Sequence, residues 1–256
     1  IPFHTIILPA LLLATKDPYV LPWQVSSTEF ILFDNKKFSK SHRIGVWMDE
    51  ALRVAPSDYW RYLLIALRPE TKDANFTWKD FQARINADLN DVLGNFVHRT
   101  LTFIKNNYSG SLPNPGEFEE RDKAALAKLQ ESPLKASIHL DQCKLREGLS
   151  VVIDLAREGN LYLSESEPWH TIKTEPARAR TTIFVSAQLV TSLAILLAPF
   201  LPTTAESIWS QVGLEGSVAS ARWEDAGQTR LQQGHVIGEP APIFRKITDE
   251  QIKAGG

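Results

Sequence analysis

Apolar positions along the chain recur mostly at helical spacing, and the polar stretches between them mark joints. Phe81, Ile85, Leu89, Val92, Phe96 and Phe103 are three, four or seven residues apart. They predict one buried stripe on a long helix, opened by the near capping box Thr77-x-x-Asp80. Leu134, Ile138, Leu145, Leu149, Val152 and Ala156 form a second stripe, which predicts a helix over 133–158 capped by Gly159. A third helix is expected over 175–200. It is strongly apolar and turns through Pro199 and Pro202 into another over 203–212. Shorter helices are expected at 117–130 and from 49 to 68, the latter interrupted by Pro56 and restarted by Ser57 as N-cap. Residues 28–33 read as a strand, preceded by a helix-like segment containing Ile6, Ile7, Leu11 and Leu12. The pattern is that of a mainly α protein with a joint in the polar stretch 69–75.

Composition narrows this picture modestly. At 256 residues there is room for one large domain or two small ones. The net charge of −2 means that any nucleic-acid contact must come from local patches. The single cysteine, Cys143, excludes an internal disulfide and a CxxC zinc site, and suits a reducing compartment. The apolar run 193–201 contains Pro199 and is far too short to span a bilayer, so no membrane partner and a cytoplasmic location are expected. The Ile-Pro-Phe-His start, without an initiator Met, reads as a piece of a longer protein.

Three places carry candidate chemistry. In FDNKKFSKSHRIGVW, Lys37, Phe38, Ser39, Lys40 and Ser41 form a loop after the strand, entered by an Asp34-Asn35 turn. Mobile ammonium groups beside backbone N–H donors can neutralise a polyphosphate; the same residues also make an ordinary solvated loop. Asn95 and Arg99 lie four apart, on one helix face beside the long stripe. Such a pair can read the Watson–Crick edges of splayed bases or simply face water. Pro168-Trp169 ends a loop over 160–169, where an indole can stack on an unpaired base or plug the bundle. His139 and Cys143 are also four apart but have no further ligands in sight, so no metal site is expected. Arg61 and Arg68 are within reach of a phosphate, though nothing in their spacing requires one.

KFSKS resembles the KMSKS loop of class I aminoacyl-tRNA synthetases, and its wider surroundings are similar to the methionyl-tRNA synthetases. The resemblance runs to about Gln211. Leu93–Arg99 (LGNFVHR) resembles that family's LGNFxxR helix, whose Asn and Arg contact the CAU anticodon, and NxYxxxxxPW (160–169) resembles its second anticodon element. The resemblance implies that 1–72 is the end of a Rossmann-like α/β catalytic domain with its connecting helices. It implies an antiparallel helix-bundle anticodon-binding domain over 73–235 and a tail over 236–256. It further implies ATP-dependent activation of methionine and its transfer to methionine tRNA. Lys40 would stabilise the leaving pyrophosphate, Lys37 would support loop closure, Phe38, Ser39 and Ser41 would complete the ATP site, and magnesium would accompany ATP. Phe3 and His4 match the pair that lines the family's methionine pocket; Asn95, Arg99, Pro168 and Trp169 match its anticodon contacts.

The family's HIGH motif and zinc-bearing insertion would both lie before Ile1, so this stretch alone is expected to be inactive. Phe38 replaces the usual Met, and His42-Arg43 stands where the family more often has a basic residue followed by Gly. Two other readings remain: a non-catalytic tRNA-binding module, and a leucyl, valyl or isoleucyl synthetase of the same subclass. The second of these predicts neither NxxxR nor the later Pro-Trp.

Overall fold

A computed structural model describes residues 1–255. Strand β1 (Ile31–Phe33) turns back antiparallel into β2 (Lys36–Lys37). Asp34 and Asn35 make the turn in the left-handed region, at φ +48° and +61°. Two such residues give the hairpin turn whose twist matches the strands it joins. On its other side β1 pairs in parallel with β3 (Ala74–Phe76), giving the order β2-β1-β3. The stretch 69–75, read above as a joint, therefore ends in a strand. Side chains beyond the ladder hold it: Asp73 accepts from the Phe30 amide at 2.9 Å and Asn75 from the Asn35 amide at 2.7 Å.

Helices α2 (Met48–Val54) and α3 (Ser57–Ala66) follow, parted at Ala55-Pro56 by the missing proline N–H. Trp60 binds the two together, donating its indole N–H to the Ala51 carbonyl at 2.8 Å. Its ring stacks on Phe81 at 4.4 Å between centroids, so α3 is packed onto the start of the next helix.

That next helix is continuous from Trp78 to Asn107. It comprises α4 (Trp78–Arg84), a π-wound middle (Ile85–Gly94) and α5 (Asn95–Asn107). Thr77 caps it, accepting from the Asp80 amide at 3.1 Å. Of the expected stripe, Phe81, Ile85, Leu89 and Phe96 are fully buried, while Val92 and Phe103 sit at its margin.

The bundle is completed by α6 (Glu120–Asp141), α7 (Leu145–Ser166), α8 (Pro168–Thr174), α9 (Pro176–Leu197) and α10 (Pro202–Val212). Here the structure corrects three boundaries. The break expected before Pro133 is absent: α6 runs through it, and Trp223 donates to the Pro133 carbonyl at 2.9 Å. The chain breaks instead at 142–144, where Cys143 adopts φ +58° and its carbonyl accepts from Arg68 at 2.5 Å. Gly159 caps nothing. It lies inside α7 because the Phe96 ring packs there, and a Cβ at this position would be 2.3 Å from Phe96 Cζ. Alanine at 159 must push α7 off α5, so Gly159→Ala is expected to cost about 1–3 kcal/mol, read as a lower denaturant midpoint.

The third correction concerns 160–169, which is not a loop. It is about the last two turns of α7, a left-handed kink at Glu167 (φ +41°) and the start of α8.

Helix α9 is long and apolar enough to cross a membrane by length and composition. In the fold it is the central strut, packed by α5, α6, α7, α8 and α10. Its buried Thr182, Ser186 and Thr191 donate to carbonyls one turn back at 2.8–3.1 Å, whereas the buried Ser192 hydroxyl has no partner among the described residues.

Residues beyond α10 return to the start of the bundle. Gln82 and Asn86 donate to the Ile247 carbonyl at 3.1 and 3.0 Å, and α11 (Asp249–Gly255) packs on α2. Arg61 and Arg68, considered above for phosphate, donate to backbone carbonyls instead: Arg61 to Phe200 and Pro199, Arg68 to Cys143. Glu70 joins the same tie by accepting from the Arg146 amide at 3.1 Å. Burial and the adjoining Glu147 carboxyl push Glu70 up, while the hydrogen bond to Glu70 draws Glu147 down.

Candidate functional site

The lysine–serine loop is built on the β1–β2 hairpin. β2 delivers Lys37, and Ser39 and Ile44 then exchange backbone hydrogen bonds at 2.9 Å, closing a tight turn over 40–43. Within it Ser39 Oγ lies 3.2 Å from Ser41 Oγ and accepts from the His42 amide at 3.3 Å, so the serines shape the turn. Lys37 rests its ammonium over the Phe30 ring, 5.4 Å from the centroid. Both Lys37 and Lys40 are exposed, and neither has an ion pair among the described residues. A loop with two free cations has charge available for an anionic ligand.

Phe38 points the other way. Its ring meets Phe33 at 6.0 Å and lines an apolar cleft of about 440 Å³ with Met48, Leu52, Trp60 and Leu64. An aromatic ring serves where the family more often has Met, because the position needs apolar bulk. The ring also lies across Gly45, whose added Cβ would be 2.5 Å from it and whose φ is +141°. Backbone freedom after the loop is thus supplied at Gly45, while Arg43 takes the left-handed region at φ +51°. In the sequence Gly45 reads only as the start of the Gly45-Val46-Trp47 exit from the loop; its approach to the Phe38 ring depends on the fold.

Phe3 and His4 sit in a π-wound turn (Phe3–Ile7) that leads into α1 (Leu8–Ala14). Their rings meet edge to face at 5.2 Å. Both are exposed, and the hydrophobic core contains no described residue before Ile31. The structure does not bring this pair together with Lys37 and Lys40.

It does bring together the two elements expected to read bases, although 70 residues separate Arg99 from Trp169 in sequence. Asn95 and Arg99 occupy successive turns at the start of α5, and Trp169 is the second residue of α8. The Glu167 kink and Pro168, which is buried at the first position of α8, aim the indole back across α5. The Arg99 guanidinium lies over the Trp169 ring, 5.0 Å from its centroid. Beside them opens a cleft of about 280 Å³, with Pro168, Leu163 and Ile183 as apolar walls. Trp169 remains 37% exposed. Asn95 donates its amide nitrogen to the Asp91 carbonyl at 3.0 Å, which leaves its Oδ1 as an outward acceptor.

Beyond these elements, no cluster of three His, Cys, Asp or Glu side chains suited to a metal occurs among the described residues.

A two-lysine loop after a strand, followed by connecting helices and a helical bundle, is the architecture of the C-terminal part of a class I aminoacyl-tRNA synthetase. The model for "tRNA synthetases class I (M)" matches residues 1–101, and that for "Anticodon binding domain of methionyl tRNA ligase" matches 112–254. The chain belongs to the methionyl-tRNA synthetase family.

Among similar proteins, the methionine–tRNA ligase of Aeropyrum pernix is 41% identical over 253 residues, covering 99% of this chain and 44% of that protein. The corresponding ligase of Korarchaeum cryptofilum is 43% identical, with 98% and 44% covered. Mycobacterium tuberculosis methionyl-tRNA synthetase in complex with methionyl-adenylate superposes with a TM-score of 0.86 at 28% identity. That superposition covers 95% of this chain and 48% of the solved one. The chain thus spans less than half the length of the relatives it matches.

Proposed function

We propose that this chain is the C-terminal part of a methionine–tRNA ligase, which activates methionine with ATP to methionyl-adenylate and transfers methionyl to methionine tRNA. Residues 1–72 complete the catalytic domain, 73–235 form the anticodon-binding bundle and 236–256 the tail. Lys40 meets the negative charge that accumulates on pyrophosphate as it leaves, and Lys37 assists closure of the loop. Phe38, Ser39 and Ser41 give the loop its shape against ATP and its magnesium. Phe3 and His4 line the methionine side chain, where aromatic walls suit a thioether. No side chain of this stretch acts as a nucleophile; substrate oxygens attack, and the protein positions and neutralises. Zinc belongs to the insertion found elsewhere in the family. Because tRNA is charged where translation occurs, we place the enzyme in the cytoplasm.

The observation that carries this reading is the Arg99–Trp169 contact at 5.0 Å, with Asn95 one turn away. Arg99 offers donors and Asn95 Oδ1 an acceptor on one helix face, the complement of a cytosine edge, which carries O2 and N3 acceptors and an N4 donor. The indole supplies a stacking surface, which contributes about 1–3 kcal/mol per base.

The test is titration of this chain with methionine tRNA carrying CAU, against the same tRNA with its first anticodon base changed, at one fixed salt concentration. Preference for CAU of about tenfold or more, abolished by Trp169→Ala, is the expected result. Equal affinity for both tRNAs would overturn the assignments at Asn95, Arg99 and Trp169. No HxGH sequence occurs in the 256 residues. This stretch alone is accordingly expected to catalyse no methionine-dependent ATP–pyrophosphate exchange.

A further inference from the structure

The lysine–serine loop rides on the β1–β2 hairpin, and that hairpin joins the rest of the sheet where β1 pairs with β3. A column of rings runs on from this pairing. Phe38, the half-exposed second residue of the loop, meets Phe33 of β1 at 6.0 Å between centroids, tilted by 59°. Phe33 lies opposite Phe76 of β3 in the register, and their rings stack at 5.7 Å and 17°. Phe76 stacks in turn on Trp60 of α3 at 6.0 Å and 26°, and Trp60 on Phe81 of α4 at 4.4 Å and 21°. Trp78, the first residue of α4, meets Phe76, Trp60 and Phe81 edge to face. Four rings therefore lie nearly parallel from the sheet to the start of the long helix, and Phe38 at the loop end is the one inclined to its neighbour. Trp60 stands between sheet and helix, and its N–H on the Ala51 carbonyl at 2.8 Å fixes the plane of the indole.

We infer that Trp60 is a positioning residue for the lysine–serine loop: its indole is the platform that holds the hairpin, and with it Lys40, in place against the long helix. This rests on the role proposed above for Lys40 and adds to it a residue outside the loop. Stacked rings resist tilting as well as separation, whereas an aliphatic side chain fills the space and lets a neighbouring ring turn. A tilt of β1 carries the turn over 40–43 with it, because Ser39 and Ile44 tie that turn to the hairpin. There is room for such a movement, since Phe38 and Trp60 both line the apolar cleft of about 440 Å³. A cation displaced by about 1 Å from a developing charge can cost on the order of 10²-fold in rate.

The experiment has two arms. In the 256-residue chain, hydrogen exchange is followed at the amides of Asp34, Ser39 and Ile44, which donate to the carbonyls of Phe76, Ile44 and Ser39. Trp60→Leu should lower their protection by about tenfold or more, whereas Trp60→Phe, which keeps a stacking ring, should stay within about threefold of the parent. Phe33→Leu interrupts the column between Trp60 and the loop without touching a helix. It should reproduce the loss, and it carries the test if Trp60→Leu fails to fold. Trp223→Leu removes an indole that donates to the Pro133 carbonyl, away from the hairpin, and controls for a general loss of stability. It should lower the denaturant midpoint and leave the three amides within about threefold of the parent. In the longer enzyme, Trp60→Leu should lower kcat of methionine-dependent ATP–pyrophosphate exchange by about tenfold or more with KM for methionine within about threefold, and Trp60→Phe should restore kcat. Unchanged protection in Trp60→Leu or Phe33→Leu would overturn the inference, as would amides already unprotected in the parent, an equal loss in Trp223→Leu, or an unaltered kcat. Absence of exchange activity in the unsubstituted longer enzyme would instead overturn the proposed function.

Discussion

Asp122→Ala is expected to destabilise the bundle by about 3–5 kcal/mol, a large part of the stability of an ordinary domain. Asp122 is fully buried in the first turn of α6. It accepts two hydrogen bonds from Arg178 of α9, one from Tyr162 of α7, and one from the Glu119 amide at 2.8 Å. Three helices therefore meet on one carboxylate, at the end of the bundle where α8 connects α7 to α9. Removing it leaves the Arg178 guanidinium, whose side chain is only 10% exposed, facing no closer acid than Glu119 at 3.9 Å. The cost comes from that stranded charge more than from the lost attraction. A fall in denaturant midpoint with an unchanged slope would register it. Lys123→Ala, which removes only the exposed pair with Glu120 on the same turn, should leave the midpoint where it was.

The same carboxylate sets an acid limit. Burial alone would raise its pKa, but the Arg178 guanidinium, the Tyr162 hydroxyl and the Glu119 amide outweigh burial and hold it below the usual range. The unfolded chain has an aspartate near its ordinary value of about 3.9. The contribution of Asp122 is therefore complete above that value and is lost as pH falls below it towards the depressed folded value. Unfolding followed from pH 7 to pH 2 should show this loss in the parent protein and not in Asp122→Ala.

In the longer enzyme, Lys40→Ala is expected to slow methionyl-adenylate formation by on the order of 10²- to 10³-fold, or about 2.7–4 kcal/mol. Lys40 is exposed on a turn fastened by the Ser39–Ile44 pair, so its removal leaves the loop's frame in place. In the proposed role, the charge Lys40 answers grows as the pyrophosphate departs, so the loss should fall on kcat of pyrophosphate exchange and leave KM for ATP and methionine nearly unchanged. Anticodon discrimination should be untouched, because Lys40 lies in the turn after β2 and the proposed base-reading side chains lie on α5 and α8. An unaltered kcat would remove Lys40 from the chemistry.

Much of this protein was legible residue by residue. The stripe from Phe81 to Phe96 marked the long helix because its period of three and four is a local property of a buried helical face. The Asp34-Asn35 turn and the Thr77 cap were legible for the same reason, since each is decided within four residues. The lysine loop and the two elements proposed to read bases were legible only as short motifs that resemble a family's, since their spacing alone equally suits a solvated loop and an ordinary helix face.

What the sequence left open depended on partners distant in the chain. Pro133 was read as a helix boundary, but α6 passes through it with the Trp223 indole on its carbonyl. Gly159 was read as a cap because glycine favours helix ends; its actual role is to admit the Phe96 ring, 63 residues away. β3 was read as linker because a three-residue strand has no periodicity of its own and exists only by pairing with β1. By itself, then, the sequence determined the long helices and the turn chemistry, which follow from local propensity, while the proposed roles of the loop lysines and of Asn95, Arg99 and Trp169 rest on the resemblance of short motifs. The tertiary structure alone decided that Arg99 meets Trp169 and that Asp122 joins three helices. It alone decided that Phe38 requires Gly45, because side-chain contacts between elements are settled by packing rather than by spacing along the chain.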